Sequence, residues 1–335
     1  MALPKRLIAA LALAPLALAA CSSTNKTGES SSGGTTASAQ GASAQGGGKY
    51  GYTFAVITHG SAGDSFWSVV KKGAEQAGAD LGDKVIYQSD GDPTKQSQLI
   101  DAEVNQKVDG LVVSMANPDA LKASIQRAVA AGIPVITINS GQAQSAAFGA
   151  LAHVGQDEEI AGQGAGQKLK AAGVTKLICV IHEAGNVGLE QRCKGAAEGL
   201  GGTVQNVQVD INNLQAAQST ITAKLQSDKS INGVLALNPQ IATAAVAAQK
   251  AAGTNAKIAT FDLSPDVVSD IESGSILFAV DQQQYEQGYL PIVMLTLYKS
   301  NLNTVGGGQP VLTGPGFVTK DNAAKVADLA KKGTR

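Results

Sequence analysis

The sequence predicts an α/β protein made of two doubly wound parallel-sheet lobes. Short apolar segments alternate with segments of helical periodicity, and this alternation begins a second time after about residue 145. The apolar segments carry hydrophobic residues at consecutive positions, which is typical of parallel strands covered by helices on both faces. With 335 residues, 44% of them hydrophobic and 16% charged, the chain can bury a large core and form about two domains.

The first run of alternating segments predicts strands at 53–58, 84–88, 110–114 and 134–138. Helices are predicted between them near 65–80, 93–106 and 118–131, with turn and capping residues at their ends. The second run predicts strands at 176–181, 204–209, 233–237, 257–261 and 276–280. Its helices are predicted near 187–199, 214–227, 241–252, 265–272 and 283–298. A cleft between two such lobes is a common place for a ligand.

Charge and composition exclude several classes of function. The net charge is −1 and no cluster of Lys and Arg alternates with aromatic residues. The sequence therefore lacks the basic patch by which proteins bind nucleic acid. Three Cys and three His occur without the spacing of a zinc site, and neither a metal nor another cofactor is predicted. A small neutral molecule is the favoured partner.

The amino terminus has the pattern of a secretory signal at residues 1–20. Two positive charges within residues 1–6 precede an apolar run at 7–20, which is short for a permanent membrane span. The run ends in Leu18-Ala19-Ala20-Cys21, which resembles the bacterial lipobox and implies cleavage before Cys21 and acylation of that residue. The alternative is an ordinary signal peptide with an incidental Cys.

Residues 22–49 consist mainly of Ser, Gly, Thr, Ala and Gln, and they predict a flexible tether. A coil of this length spans about 30 Å on average. With a lipidated Cys21 at its start, segment 21–49 would hold the folded part outside the cytoplasm at the cell membrane.

The stretch 53–72 carries the aromatic residues that best fit a ligand wall. An apolar strand runs into a polar, Gly-containing loop at 58–64, and a helix then opens with Ser65, Phe66 and Trp67. Ligands of open α/β sheets bind at the carboxyl ends of the strands, so the two rings are predicted to pack against a sugar-sized ligand. The alternative is that both rings belong to the core.

Two motifs that resemble catalytic sequences have simpler explanations. The Gly-rich stretch at 162–168 lacks P-loop and dinucleotide spacing and lies in a helical segment, which favours close helix packing. No GxSxG sequence occurs. His182 and Glu183 follow a predicted strand and are interpreted as a loop-lining pair, with a general acid or base as the alternative.

Segments spread along the chain share the order and spacing of one protein family. They are Ala55-Val56-Ile57, Asp64-Ser65-Phe66-Trp67, 108–114, 131–139, Arg192 with Gly195, Leu237-Asn238, Thr260-Phe261-Asp262 and Val280-Asp281-Gln282-Gln283. Over residues 50 to about 320 the chain resembles the ribose-binding-protein-like group of ABC-transporter substrate-binding proteins, which have the type I periplasmic binding fold. The resemblance implies two Rossmann-like lobes joined by a three-crossover hinge that closes on ligand. It also implies a first lobe of 50–156 with 283–311 and a second lobe of 157–282 with 312–335.

The resemblance implies ligand-binding residues on both walls of the cleft. The first wall would carry Asp64, Phe66, Trp67, Ser114 and Asn139. The second wall or the hinge would carry Arg192, Asn212, Asn238, Asp262 and Gln282. Aromatic rings suit the C–H faces of a sugar, Arg192 can only donate, and an ionised Asp262 can only accept. The family often has Asn at Asp64, Asn or Asp at Ser114 and an aromatic residue near Asn212, which argues against ribose itself.

Cys179 and Cys193 remain once Cys21 is acylated, an even number in an exported chain. Cys179 lies in a predicted strand and Cys193 in the first turns of the next helix. A disulfide between them would close a loop of about 15 residues, stabilise the fold by about 3 kcal/mol and fix the helix that carries Arg192. The alternative is two buried free thiols.

Taken together, these features predict a monomeric, extracytoplasmic solute-binding protein. It would capture a small neutral monosaccharide or polyol by lobe closure and deliver it to the permease of an ABC importer, without bond chemistry. One alternative is a receptor for a furanosyl signal or a nucleoside. Another is a secreted α/β enzyme acting on sugars, for which Asp64 and Asp262 would be the carboxylate pair.

Overall fold

The computed structural model of the protein describes residues 50–335, and two six-stranded sheets form its frame. The predicted signal, Cys21 and the tether lie outside the described residues. The strands are β1 (Thr53–Thr58), β2 (Lys84–Ser89), β3 (Gly110–Ser114), β4 (Val135–Ile138), β5 (Ala152–Gly155), β6 (Lys176–Ile181), β7 (Thr203–Gln208), β8 (Gly233–Ala236), β9 (Lys257–Phe261), β10 (Phe278–Asp281), β11 (Val311–Leu312) and β12 (Gly316–Thr319).

Helices connect nearly all of these strands. They are α1 (Ser65–Leu81), α2 (Pro93–Gln106), α3 (Pro118–Ala130), α4 (Gln142–Ser145), α5 (Glu158–Ala171), α6 (Val187–Leu200), α7 (Leu214–Ser227), α8 (Pro239–Ala252), α9 (Pro265–Ser273), α10 (Gln284–Asn301) and α11 (Ala323–Lys332). A short 3-10 turn, Ala146–Phe148, follows α4.

The strand order confirms the predicted class of two doubly wound lobes. The first sheet has the order β11-β5-β4-β3-β1-β2 and the second has β12-β10-β9-β8-β6-β7. Neighbouring strands are parallel except β10 and β12, which pair antiparallel. The order reverses next to β1 in one sheet and next to β6 in the other, and such switch points leave a crevice at the strands' carboxyl ends. The chain passes between the sheets three times, after β5, after β10 and after β11.

Hydrophobic residues cover both faces of each sheet, which explains the consecutive apolar positions in the strands. In β1, Phe54 and Val56 pack in a cluster with residues of α1 and α10. Ala55 and Ile57 point to the other face and pack with residues of α2 and α3. The second sheet is covered in the same way by two further clusters. The central strands are therefore buried on both sides, as parallel sheets require, whereas the edge strands β2 and β7 are only partly buried.

The predicted strands and helices are all present, with ends that differ by about three residues or fewer. The sequence analysis did not predict β5, β11, β12, α4 or α11. β11 has two residues and α4 has four, too short for a periodic pattern to be recognised. Long-range pairing decides these strands, because β11 joins β5 and β12 joins β10.

Glycines let α5 and α6 pack closely, as the sequence predicted for the Gly-rich stretch. A Cβ added at Gly162 or Gly166 of α5 would collide with backbone oxygens of α6. A Cβ added at Gly195 or Gly199 of α6 would collide with the backbone of α5 in the same way. The two helices therefore meet backbone to backbone, which places the first turn of α5 beside Arg192.

A disulfide joins Cys179 of β6 to Cys193 of α6, as predicted, with the two Cα atoms 5.8 Å apart. Both residues are buried. Arg192 precedes Cys193 directly, so the bridge and the glycine contact hold α6 from two sides. The position of the Arg192 backbone is thereby fixed relative to the second sheet.

Gly166→Ala tests the close approach of α5 and α6. The added Cβ would collide with the backbone oxygen of Ala196, so we expect the free energy of unfolding to fall by about 1–3 kcal/mol, although Ala favours helix more than Gly. Gln167→Ala, at an exposed position of the same helix, is the control and should change this free energy by less than about 0.5 kcal/mol. Urea unfolding measures both, and a Gly166→Ala protein as stable as the wild type would contradict the packing.

Candidate ligand-binding site

The carboxyl ends of both sheets face one cleft, and helix caps supply several of its side chains. Asp64 caps α1, Asn186 caps α6 and Asn238 caps α8, each accepting a hydrogen bond from a backbone N–H of the helix's first turn. All three side chains also line the cleft. Capping holds these polar groups at fixed positions, so the wall is organised by the helices themselves.

Eight of the ten predicted ligand-binding residues line a single small cavity in this cleft, the inner cavity. They are Asp64, Phe66, Trp67, Asn139, Arg192, Asn238, Asp262 and Gln282. The rings of Phe66 and Trp67 meet edge to face with centroids 4.8 Å apart. Both rings also belong to the hydrophobic core of the first lobe. Phe66 and Trp67 therefore line the cavity and belong to the core at the same time, so the two interpretations do not exclude each other.

Ser114 and Asn212 lie elsewhere. Ser114 is fully buried behind His59, and its Oγ accepts the backbone N–H of His59 at 3.0 Å and lies 2.7 Å from His59 Nδ1. His59 thus takes the wall position predicted for Ser114. Asn212 is exposed, and its Nδ2 donates a hydrogen bond to Asp210 Oδ1 at 3.0 Å. It lines a different cavity of about 910 Å³, which we call the outer cavity and which loops surround.

The inner cavity contains residues that the sequence analysis did not single out. His59, Asn186 and Leu189 line it, as do His182 and Glu183, which were interpreted as a loop-lining pair. Position is the signal that could have indicated His59 and Asn186. One directly follows β1, and the other caps the helix after β6. Both sites are where doubly wound sheets present side chains to a ligand.

Glu158 holds the guanidinium of Arg192. Arg192 Nε donates to Glu158 Oε2 at 2.6 Å and Nη2 donates to Glu158 Oε1 at 2.8 Å, and both side chains are nearly fully buried. Arg192 Nη1 donates a longer bond of 3.4 Å to the Leu237 carbonyl oxygen. The ring of Phe261 lies 4.5 Å below the guanidinium. One N–H on each terminal nitrogen is left for a ligand.

Two carboxyl groups of the inner cavity bind protons more tightly than usual. Burial raises the pKa of Asp262 to about 8, although Arg192 and a 2.9 Å bond from Gln282 oppose the shift. Burial and the charge of Glu183 raise the pKa of Asp64 to about 6. At neutral pH Asp262 therefore carries a proton in this conformation and can donate a hydrogen bond. The sequence analysis treated it as an acceptor only.

The two cleft histidines are neutral. Burial, followed by the charge of Arg192, lowers the pKa of His59 to about 3, and burial lowers the pKa of His182 to about 4. Neutral imidazoles have one donor and one acceptor nitrogen each, which suits hydroxyl groups. The inner cavity thus combines one paired cation, neutral imidazoles and amides, and the carboxyl groups of Asp64 and Glu183.

Hydrogen bonds across the cleft hold the two walls together. Asn238 Nδ2 lies 3.4 Å from Asp64 Oδ1, and Ser140 Oγ donates to Asn186 Oδ1 at 3.1 Å. The Val187 backbone N–H donates to the Ala116 carbonyl oxygen at 3.0 Å. The inner cavity that remains has a volume of about 20 Å³, which is room for about one water molecule. A ring-sized ligand can enter only when the walls move apart.

Within residues 50–335, no group of three or more His, Cys, Asp or Glu side chains is arranged to hold a metal ion. The helices of the same part of the chain include none with the length and apolar character needed to cross a bilayer.

A profile of the family described as a periplasmic binding protein domain matches residues 54–301. The chain belongs to this family of extracytoplasmic binding proteins. A carbohydrate transporter from Acidothermus cellulolyticus, solved in complex with myo-inositol, is 44% identical and superposes with a TM-score of 0.84 over 85% of this chain and 100% of that one.

Curated relatives are more distant. The ribose import binding protein of Haemophilus influenzae is 28% identical over 68% of this chain and 79% of its own length. The xylose/arabinose-binding protein of Sulfolobus acidocaldarius is 26% identical over 69% of this chain, a match that spans 61% of that protein. The predicted class, a solute-binding protein of the sugar ABC-transporter type, is confirmed.

Asp262→Asn tests the protonation of the buried carboxyl. The pKa of Asp262 is about 8 in the folded protein, against the ordinary Asp value of 3.8 in the unfolded chain, so between these limits the folded state holds one more proton than the unfolded state. The free energy of unfolding should therefore fall as pH rises from about 5 to 8 by more in the wild type than in the variant.

Urea unfolding at several pH values measures this difference. Asp266→Asn, at an exposed position in the first turn of α9, is the control and should follow the wild type across the range. Parallel profiles of the wild type and Asp262→Asn would show that Asp262 is not protonated in the folded protein.

Proposed function

We propose that the protein captures a cyclitol of the myo-inositol type in the inner cavity and delivers it to the permease of an ABC importer, with no bond chemistry. One observation carries the ligand assignment. The relative of known structure that is 44% identical, and that this chain covers completely, holds myo-inositol. The residues of the inner cavity support it independently, because they suit an uncharged ring with many hydroxyl groups.

Charge pairing favours a neutral ligand. The cation Arg192 is already neutralised by Glu158, so it does not leave an unpaired positive charge for a phosphate or carboxylate. Asp262, with a pKa of about 8, is uncharged near neutral pH, whereas Asp64, with a pKa of about 6, is largely ionised. A sugar phosphate would bring a dianion beside the Asp64 carboxylate and be repelled.

Hydroxyl groups match the polar atoms of the inner cavity. Each hydroxyl donates one hydrogen bond and accepts others, and the amides of Asn139, Asn238 and Gln282 each offer both kinds of group. Arg192 donates with its free N–H groups, and each such charge-assisted bond contributes about 1.5–3 kcal/mol. The rings of Phe66 and Trp67 offer apolar surface to the C–H face of the ligand.

Lobe closure is the mechanism that we infer. The walls leave about 20 Å³ between them, less than a six-membered ring needs, so the ligand must enter a more open form, and the lobes then close on it with the walls farther apart than in this structure. We propose that residues 50–156 with 283–311 move as one body, and residues 157–282 with 312–335 as the other. Closure in a monomer would then present both lobes to the permease together.

Binding of myo-inositol tests the ligand. We expect isothermal titration calorimetry on residues 49–335 to give saturable binding at micromolar or tighter affinity, with a change in Trp67 emission because this ring lines the cavity. D-ribose, D-allose, D-arabinose and linear polyols complete the panel, and small-angle scattering of the same samples should give a smaller radius with ligand. A pentose that binds while myo-inositol does not would contradict the cyclitol assignment, and an unchanged radius would contradict closure.

Glu158→Gln provides a matched test of the site. Removing the charge that orients Arg192 should weaken myo-inositol binding by about 10-fold to 100-fold, the equivalent of one charge-assisted bond. Glu159→Gln is the control, since Glu159 pairs only with Lys194 at the surface, and it should change affinity by less than about twofold. Equal affinities of the two variants would contradict a contact between Arg192 and the ligand.

We also propose that acylated Cys21 anchors the protein to the outer face of the cell membrane. The lipobox-like sequence Leu18-Ala19-Ala20-Cys21 and the polar segment 22–49 support this location. In a bacterial host, the full chain should fractionate with membranes and carry labelled palmitate, and Cys21→Ser should release it unlabelled. A Cys21→Ser protein that stays membrane-bound would contradict the anchor.

A further inference from the structure

The outer cavity is much larger than the inner one and is formed by both lobes. Its volume is about 910 Å³, within the range of pockets that hold small ligands. The loops after β1, β2 and β3 line it from the first lobe, and the loops after β6 and β7 line it from the second. It is present while hydrogen bonds join the two walls, so it forms a separate compartment beside the inner cavity.

Four residues line both cavities. His59, His182, Glu183 and Asn186 form what we call the divider. Within it, Asn186 Nδ2 donates to Glu183 Oε2 at 2.7 Å and lies 3.4 Å from His59 Nε2. These are contacts between side chains, so a change of side-chain rotamer would let a linking atom pass between the cavities.

The divider contains polar atoms whose hydrogen bonds within the protein are long or absent. His59 Nδ1 lies 2.7 Å from Ser114 Oγ. The other ring nitrogen, Nε2, lies 3.4 Å from the amide nitrogen of Asn186 and 3.6 Å from the Glu183 carboxylate, both longer than a good hydrogen bond. His182 Nδ1 is buried and has no partner among the described residues. Ligand oxygens and hydroxyls would satisfy both rings.

The outer cavity has an acidic lining. Asp90, Asp92, Glu183 and Asp210 contribute carboxylates, and its lining within the described chain includes no Lys or Arg. Lys95 approaches Asp90 to 3.9 Å from outside the lining. Carboxylates accept hydrogen bonds from hydroxyl and amino groups, but they repel phosphate.

We propose that the outer cavity is a second subsite for a sugar ring, neutral or amino-substituted, that is linked to the ring held in the inner cavity. The ligand class is then a glycosylated cyclitol, with its linking oxygen between His59 and His182 in the divider. This inference rests on the proposed capture of a cyclitol ring by the inner cavity. It extends that proposal by a second ring and excludes phosphate esters.

The experiment compares three probes by calorimetry: myo-inositol, a galactosyl-myo-inositol and a myo-inositol monophosphate. For the wild type we expect the galactoside to bind at least about 10-fold tighter than myo-inositol, the equivalent of one or two additional hydrogen bonds. The phosphate ester should bind more weakly than myo-inositol. A galactoside that binds no tighter than the free ring would overturn the second subsite.

Gly91→Trp and Gly91→Ala form the matched pair of variants. A Cβ at Gly91 makes only ordinary contacts, 3.5 Å from Ser61 Oγ and 3.7 Å from the His59 carbonyl oxygen, so both variants should fold. The Trp side chain would occupy the outer cavity and abolish the gain from the galactosyl group, with myo-inositol affinity unchanged within about twofold, whereas Ala should retain the gain. A gain that survives in Gly91→Trp would overturn the inference.

The two proposals fail in distinguishable ways. Binding of myo-inositol without any preference for the galactoside overturns the second subsite alone. Absence of binding by all three probes overturns the proposed cyclitol function, and the second subsite with it. Tighter binding of the phosphate ester than of myo-inositol contradicts the role given to the acidic lining.

Discussion

A buried guanidinium needs a partner, and the cleft is built around the pair that Arg192 forms with Glu158. Loss of one member of such a pair costs about 3–5 kcal/mol, because the other is left charged and buried. Glu158 begins α5 directly after the first crossover, where Gln156 Nε2 also donates to it at 2.9 Å. The glycine contact joins α5 to α6 beside this pair, and the disulfide of Cys179 joins α6 to β6. The Arg192 guanidinium is thereby fixed beside the first crossover.

Burial sets the protonation of the other groups in the inner cavity. It raises the pKa of Asp262 to about 8 although the charge of Arg192 opposes the shift, and burial together with that charge lowers the pKa of His59 to about 3. The wall therefore presents mainly uncharged hydrogen-bonding groups, with Asp64 and Glu183 as its remaining carboxylates. Removing water from such a surface on closure costs less free energy than removing it from a charged one. The surface favours a ligand whose hydroxyl groups both donate and accept hydrogen bonds.

The contacts between the walls suit a protein that must open and close. They are single hydrogen bonds between amides, hydroxyls and carboxyl groups, such as Asn238 to Asp64 and Ser140 to Asn186. Each contributes about 0.5–1.5 kcal/mol, and water can replace it when the lobes part. The large hydrophobic clusters lie instead within each lobe, on the faces of its own sheet. Opening therefore exposes polar surface and leaves both cores intact.

The sequence by itself determined the α/β class, the order of strands and helices in both lobes and the close packing of the Gly-rich helix, because hydrophobic periodicity and small residues act locally. Resemblance to a family added most residues of the inner cavity, since they follow strand ends in a fixed order. Only the tertiary structure decided that Glu158 pairs with Arg192, that His59 stands in front of Ser114, and that Asn212 faces the outer cavity. The same holds for β11 and β12, which form by pairing with distant strands. Contacts between residues far apart in the chain leave no periodic signal, because they exist only after the helices and sheets have packed.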